Sequence, residues 1–274
     1  MSLAIITPVY NRANSIIPTL LSVTSQEDKF IIEHIVVSEG CEDYEELINA
    51  ISSNTDQEFC KLVRLNANLG TGAAINAGVR ASKADWIMTL DSDDVLAPYF
   101  VKKISKIIKS DILEFDFYYL NVVNSAGSIS PNPKPSSRLN YRRYLIHLNQ
   151  SIFKNHEKGL VARRKVYESV KLPENYAYED LFHLEINKRF SGKYINENSK
   201  NCSLELLDRL SEASLKITSK KDFKRILGQT MGYLDLLLRH FLPIVLFSPK
   251  YAVSLLQKIA KRILVILLYW VKAK

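Results

Sequence analysis

The stretch WIMTLDSDDVLAP (86–98) runs an apolar segment into Asp91, Asp93 and Asp94, with only Ser92 breaking the acids. Carboxylates gathered there have three chemistries open to them. They can form a turn and cap a helix begun by Leu96, Pro98 and Phe100. They can bind calcium, but the EF-hand register, its glycine and its distal glutamate are missing. Or they can hold Mg²⁺ or Mn²⁺ against a diphosphate, because such hard ions use only one or two protein carboxylates and complete their shell with phosphate and water oxygens. A second acidic pair, Glu179–Asp180, precedes the apolar LFHLEI (181–186). Read alone, it is a helix N-terminal pair favoured by the dipole. His183 falls on the same helical face as Asp180, either as a further ligand or acceptor contact or as a core histidine.

Positioning these groups falls to alternating elements. LAIIT (3–7), IIEHIVV (31–37), CKLVRL (60–65) and WIMTL (86–90) are short apolar runs of strand type. NSIIPTLLSVTSQ (14–26), EDYEELINAISS (42–53) and TGAAINAGVRAS (71–82) carry helical signals, with Asn14 or Ser15 as the cap of the first. The order βαβαβαβ implies a parallel sheet with right-handed crossovers, hence an α/β nucleotide-binding type of domain. Ligands of such sheets bind beyond the carboxyl ends of the strands. TPVYNR, SEGCED, NANLGTG and DSDD are those ends here, so all four converge on one cleft. NLGTG lacks the GxxxxGK[ST] of a phosphate loop. Beyond Pro98 the pattern continues with a helix (99–110), an alternating strand (111–123), a turn-rich connection (124–137), and helices and a strand through residue 215. ARRK (162–165) is either a phosphate contact or a solvated basic turn.

Composition bounds the rest. A chain of 274 residues, 47% hydrophobic and 24% charged, can bury a core and is not disordered in character. Cys41, Cys60 and Cys202 are far apart and lack ligand spacing, which predicts a reduced, cytoplasmic setting with neither disulfides nor a zinc site. The N-terminal segment lacks the basic flank of a signal peptide and reads as a first strand. The formal net charge of +8 is unevenly spread: residues 1–215 balance to −2 and residues 216–274 to +10. The basic tail is expected to be amphipathic and helical, with Ser254, Gln257, Lys258, Lys261 and Arg262 as a polar stripe toward anionic headgroups and Trp270 and Tyr269 as interface anchors. Its longest unbroken apolar run, Ile263–Val271, is shorter than the roughly 20 residues of a spanning helix. A hairpin packed on its own domain, or on a second copy in a homo-oligomer, is the competing expectation.

Taken in order, TPVYNR (7–12), HIVVSEGCED (34–43), NANLGTGAAINAGVRASKADWIMTLDSDD (66–94) and YEDLFHLEI (178–186) resemble the motifs of the family 2 glycosyltransferases. The resemblance covers about residues 3–190. It implies a GT-A fold, Rossmann-like with a mainly parallel sheet flanked by helices, over residues 1–215, and a C-terminal helical basic appendage over 216–274. It further implies inverting, metal-dependent transfer from a nucleotide-diphosphate sugar, such as a UDP-sugar, to a glycan or lipid-linked acceptor in surface polysaccharide synthesis. The donor would meet Pro8, Tyr10, Arg12, Glu39, Asn68, Gly70, Asn76, Asp91 and Ser92, the divalent cation Asp93 and Asp91, and the general base would be Asp180. Glu179 and His183 would be acceptor-side or secondary residues. Ser38 stands where an aspartate is more usual and Ile75 where many members have a basic residue, with Arg64 or Arg80 as substitutes. Such an enzyme would work on the cytoplasmic membrane face, with no nucleic acid partner. Two other classes remain open: a metal-dependent nucleotidyltransferase, and a non-catalytic nucleotide-sugar-binding module at the membrane.

Overall fold

The computed structural model describes all residues except 27–29, 57, 112–113, 125, 132–134, 151–157, 175–178, 203–214, 216 and 273–274. Tyr178 of the late acidic motif therefore lies outside the described residues. Chain order runs β1 (Leu3–Val9), α1 (Ile17–Thr24), β2 (Ile31–Glu39), α2 (Tyr44–Asn54), β3 (Cys60–Leu65), α3 (Thr71–Ala81), β4 (Trp86–Thr89), β5 (Val95–Leu96) and α4 (Phe100–Ser110). It continues through β6 (Phe117–Val123), β7 (Ile129–Ser130), β8 (Ser137–Leu139), α5 (Tyr141–Asn149), β9 (Gly159–Arg163), α6 (Arg164–Ser169), α7 (Asp180–Arg189), β10 (Gly192–Asn201), α8 (Lys220–Phe247) and α9 (Pro249–Lys272).

Among the described residues these strands form one sheet in the order β3-β2-β1-β4-β9-β6-β10-β5, with β7 beside β6 and β8 beside β10. The first four strands are parallel, as the alternating sequence requires. The mainly parallel sheet flanked by helices is as expected, and from β9 onward antiparallel strands join it. β9 runs antiparallel to both β4 and β6, and β10 returns parallel to β6. The consequence for function is directional. The carboxyl ends of β1–β4, β6 and β10 share one edge with the amino end of β9, so Lys158 and Lys200 join an edge that sequence pattern assigned only to the first four strands.

β1 is buried along its whole length, as a central strand covered on both faces should be. α3 lies close against it because Gly78 faces the Ile6 side chain, where a Cβ would overlap it. Two helix starts differ from expectation. α1 begins after Ile16, which takes the N-cap place one residue beyond Ser15 and two beyond Asn14, with Pro18 in its first turn and Leu21 pointing to solvent. α4 begins at Phe100 behind Tyr99, which adopts a left-handed φ of 57°, so none of the three aspartates caps it.

α8 and α9 form a hairpin whose inner residues, among them Tyr233, Leu236, Ile244, Tyr251, Leu255 and Ile259, join the same core cluster as Ala4, Ile6 and Ile87 of the sheet. The stretch Asp222–Phe247 is long and apolar enough to cross a membrane by length and composition, which counting unbroken runs did not show. A third of its most apolar window is nonetheless buried in the protein.

Candidate active site

Loops at the carboxyl edge are laced together before any ligand arrives. Asn11, at a φ of 50°, accepts the Glu42 N–H on its Oδ1 at 2.9 Å, and Asp43 Oδ2 accepts the Ala13 N–H at 2.8 Å. The loops after β1 and β2 thereby hold each other. Gly40 takes a φ of 73° and sits against the backbone of Ala67, so a side chain there would meet both an unfavourable dihedral and the loop after β3. The acidic loop is clamped from outside by α1: the Thr19 hydroxyl lies 3.0 Å from the Ser92 carbonyl and 2.7 Å from that of Asp94, while Ser22 Oγ accepts the Leu96 N–H at 3.1 Å.

This clamp separates the three aspartates. Asp91 is exposed at the cleft and Asp93 is partly exposed, whereas Asp94 is buried. Arg12 Nη1 donates to Asp93 Oδ2 at 2.9 Å. The Lys200 ammonium, delivered by the end of β10, bridges Asp91, at 3.2 Å, and Asp94. Burial works against that ammonium, but the Asp91 and Asp94 carboxylates outweigh it and hold the lysine charged well above its usual range. Asp94 thus has a definite job as the buried counter-ion of Lys200, with the Cys202 thiol also directed at it, 3.7 Å away.

Among the described residues, the cations paired with the acidic loop are Arg12 and Lys200. Arg64 instead stacks over the Tyr44 ring at 4.1 Å, and Arg80 occupies the last turn of α3, the end away from the cleft. Nothing in sequence spacing singled out Lys200; a lysine at a buried position of a strand was the available signal.

Other candidate donor contacts divide into two groups. Tyr10 and Asn68 stand partly exposed at the edge, Asn68 shaping its loop by accepting the Gly70 N–H at 3.0 Å. Glu39 ends β2 in a buried position, where desolvation and then the Asp91 charge push its carboxyl up to about 7. Pro8, Ser92 and Gly70 are buried. Asn76 departs from expectation. Its amide is spent on the chain itself, donating to the Leu172 carbonyl at 2.9 Å and accepting the Leu172 N–H at 3.1 Å, with Glu174 also in reach at 3.3 Å. Ile75 beside it is a core residue.

Facing the aspartates is the start of α7. Glu179 is open to solvent, yet protein surrounds it closely enough that desolvation, followed by repulsion from Asp91, raises its carboxyl above the usual range. Asp180 lies deeper, only 2% exposed, and its Oδ2 accepts the Tyr251 hydroxyl of α9 at 2.7 Å. Lys158, buried just before β9, is lowered to about 8 by desolvation, against the pull of Asp180 and Glu179. His183 is a core histidine: Nδ1 pairs with the Tyr119 hydroxyl at 2.9 Å and the ring packs edge-on against Tyr119 and Phe182.

Among the described residues no three His, Cys, Asp or Glu side chains converge to cage an ion unaided. The hard oxygens of Asp91 and Asp93 nevertheless suit Mg²⁺ or Mn²⁺, because one or two carboxylates suffice when phosphate oxygens supply the rest.

Solved structures and relatives match this architecture. The structure of Staphylococcus aureus TarS 1–349 in complex with UDP-GlcNAc superimposes with a TM-score of 0.63 at 16% identity, covering 85% of this chain and 67% of that one. The succinoglycan biosynthesis protein ExoO of Rhizobium meliloti is 33% identical over 89 residues, 32% of this chain and 24% of that protein. An undecaprenyl-phosphate 4-deoxy-4-formamido-L-arabinose transferase of Pseudomonas fluorescens is 30% identical over 149 residues, 53% of this chain and 40% of that protein. These alignments span less than half the length of either relative. A profile of glycosyl transferase family 2 matches residues 4–171, from the first buried strand past the acidic loop to the segment gripped by Asn76. By that match the chain belongs to glycosyl transferase family 2.

Proposed function

We propose that this cleft transfers a sugar, with inversion, from a UDP-sugar to a hydroxyl of a glycan or lipid-linked acceptor in surface polysaccharide synthesis. The observation that carries the reading is the approach of Glu179, next to Asp180 at the start of α7, to Asp91 of the acidic loop, near enough for each to feel the other's charge. In a single in-line displacement, the acceptor oxygen bonds to the anomeric carbon as the bond to the diphosphate breaks. The electron pair leaves with the diphosphate, and the hydroxyl proton passes to Asp180. Asp91 and Asp93 are the residues that would hold Mn²⁺ or Mg²⁺, whose chemistry there is charge stabilisation on the leaving diphosphate. Arg12 and Lys200 keep the acidic loop in place before the donor enters, and Tyr10 offers a ring face to the base. Names among the relatives support the substrate class: one is a succinoglycan biosynthesis protein and another an undecaprenyl-phosphate sugar transferase.

The test is calorimetry with UDP and Mn²⁺, joined to UDP release from UDP-glucose, UDP-galactose and UDP-N-acetylglucosamine. Metal-dependent UDP binding with release is the expected result. Binding without release from any sugar favours a non-catalytic module, and UDP-sugar formation from a sugar phosphate and UTP favours a nucleotidyltransferase.

The α8–α9 hairpin supplies the proposed attachment to the cytoplasmic membrane face, by a different face from the one helical spacing marked. Lys258 and Arg262 turn inward over the Tyr233 ring, and Arg262 also reaches Gln229. Outward stand Leu238, Phe241, Leu242, Leu264, Leu267 and Trp270, each more than half exposed. Apolar exposure on that scale calls for a covering surface, and the tail's net charge of +10 favours an anionic one. The double substitution Leu264→Glu/Leu267→Glu is expected to weaken binding to phosphatidylglycerol vesicles by about tenfold or more. Unchanged vesicle binding, or a dimer in free solution that the pair dissolves, would count against the membrane.

A further inference from the structure

The inner face of α9 enters the site from a part of the chain that composition marks only as basic and surface-seeking. Tyr251, 8% exposed, reaches across 71 residues of sequence to donate its hydroxyl to Asp180 Oδ2 at 2.7 Å. Its place is fixed by the neighbouring backbone. The Ser248 hydroxyl binds the Leu145 carbonyl, and the Lys250 N–H donates to Asn149 Oδ1 at 2.9 Å, so the first turn of α9 is fastened to the end of α5. Leu255, one turn beyond Tyr251, is seated in the main core cluster. Lys258, a further turn along, lies close enough to feel the Asp180 charge.

Resting on the glycosyl-transfer reading above, we propose that Tyr251 is a positioning residue for Asp180, and that α9 is thereby a structural part of the acceptor half of the active site. A carboxylate buried this deeply stays ionised only where hydrogen bonds and charges offset its lost hydration. A phenol suits the task because it donates one directional bond while staying neutral across the working pH range. Held by Oδ2, the carboxylate keeps one orientation toward the hydroxyl that must lose its proton, which is where geometric control matters most in general-base catalysis.

The experiment compares the full-length wild type with Tyr251→Phe and Asp180→Asn. UDP release from UDP-glucose, UDP-galactose and UDP-N-acetylglucosamine with Mn²⁺ is followed from pH 5 to 9, beside calorimetric UDP affinity and the thermal midpoint. Tyr251→Phe keeps the ring, so the protein remains folded and UDP affinity is unchanged. Its kcat is expected to fall about tenfold or more, consistent with misplacement of a general base. The acidic limb of its profile moves upward by about one pH unit, because a lost hydrogen bond to a carboxylate raises its pKa. A packing role alone would leave that limb in place. Wild-type kcat and an unmoved limb in Tyr251→Phe, with Asp180→Asn inactive, would overturn the proposal while sparing the general-base assignment. Parallel losses of UDP affinity and kcat would overturn it as well. Wild-type turnover in Asp180→Asn, or no release from any of the three sugars by the wild type, would overturn the glycosyl-transfer reading and the proposal with it.

Discussion

Asp93→Ala is expected to lower sugar transfer by about a thousandfold or more while leaving the thermal midpoint within a degree or two of the wild type, since it removes an oxygen proposed to act on the leaving diphosphate. The two halves of that expectation have separate causes. Asp93 is partly exposed and its pairing with Arg12 is a partly buried one, worth on the order of 1 kcal/mol to the fold. Its loss therefore costs little stability. Transfer, in contrast, needs charge stabilisation on the diphosphate at the moment the bond breaks, and no neighbour substitutes: Asp94 is taken by Lys200, and Glu39 lies buried at the end of β2. Asp94→Ala is the informative control. It leaves the buried Lys200 ammonium with the exposed Asp91, at 3.2 Å, as its remaining partner, so the cost approaches that of breaking a buried pair, about 3–5 kcal/mol. Activity lost there comes with a lowered midpoint, and activity lost in Asp93→Ala does not. UDP release and differential scanning fluorimetry on the two variants make the comparison. Wild-type turnover in Asp93→Ala would remove it from the mechanism.

Asp180→Asn is expected to reduce kcat by about 10²–10⁴ while leaving UDP affinity near that of the wild type, the range associated with removing a general base. Asparagine keeps the shape and can still accept the Tyr251 hydroxyl on its carbonyl oxygen, so the hairpin stays docked. What disappears is the capacity to take up a proton. Isothermal titration with UDP and steady-state UDP release separate the two quantities. Parallel losses in both would instead mean that Asp180 serves the fold. Glu179 offers a check on the assignment: it is the carboxylate more open to the cleft, so Glu179→Gln should leave most of the activity if Asp180 is the base, and eliminate it if the roles are reversed.

Much of the first half of the fold was legible because parallel βαβ units carry their own signature: four apolar runs, each ending in a polar turn, gave β1 to β4 and the edge where ligands meet. The strand Cys60–Leu65 is found just where its pattern ends. Legibility stopped where partners are distant in sequence. The antiparallel entry of β9 leaves no local trace, and with it went the placement of Lys158. Sequence alone assigns Asp94 no role beside Asp91 and Asp93; the end of β10, which brings Lys200 next to it, supplies one. Asn76 sits in a motif associated with the donor, but its side chain answers to a backbone segment 96 residues away. The tail shows the limit most clearly. A helical projection grouped Lys258, Lys261 and Arg262 on one stripe but could not know that the Tyr233 ring lay opposite, so Lys258 and Arg262 turned inward while Lys261 stayed exposed among the outward leucines.

The grip of Asn76 on Leu172, set beside the bond between Asp180 and Tyr251, has a practical consequence for engineering. Leu172 is held by an amide on α3 and Asp180 by a phenol on α9, so two neighbouring parts of the chain take their positions from helices far away in sequence. Any redesign around Asp180 therefore has to keep Asn76 and Tyr251, because a change at either would be felt at a residue about 70 to 100 positions distant.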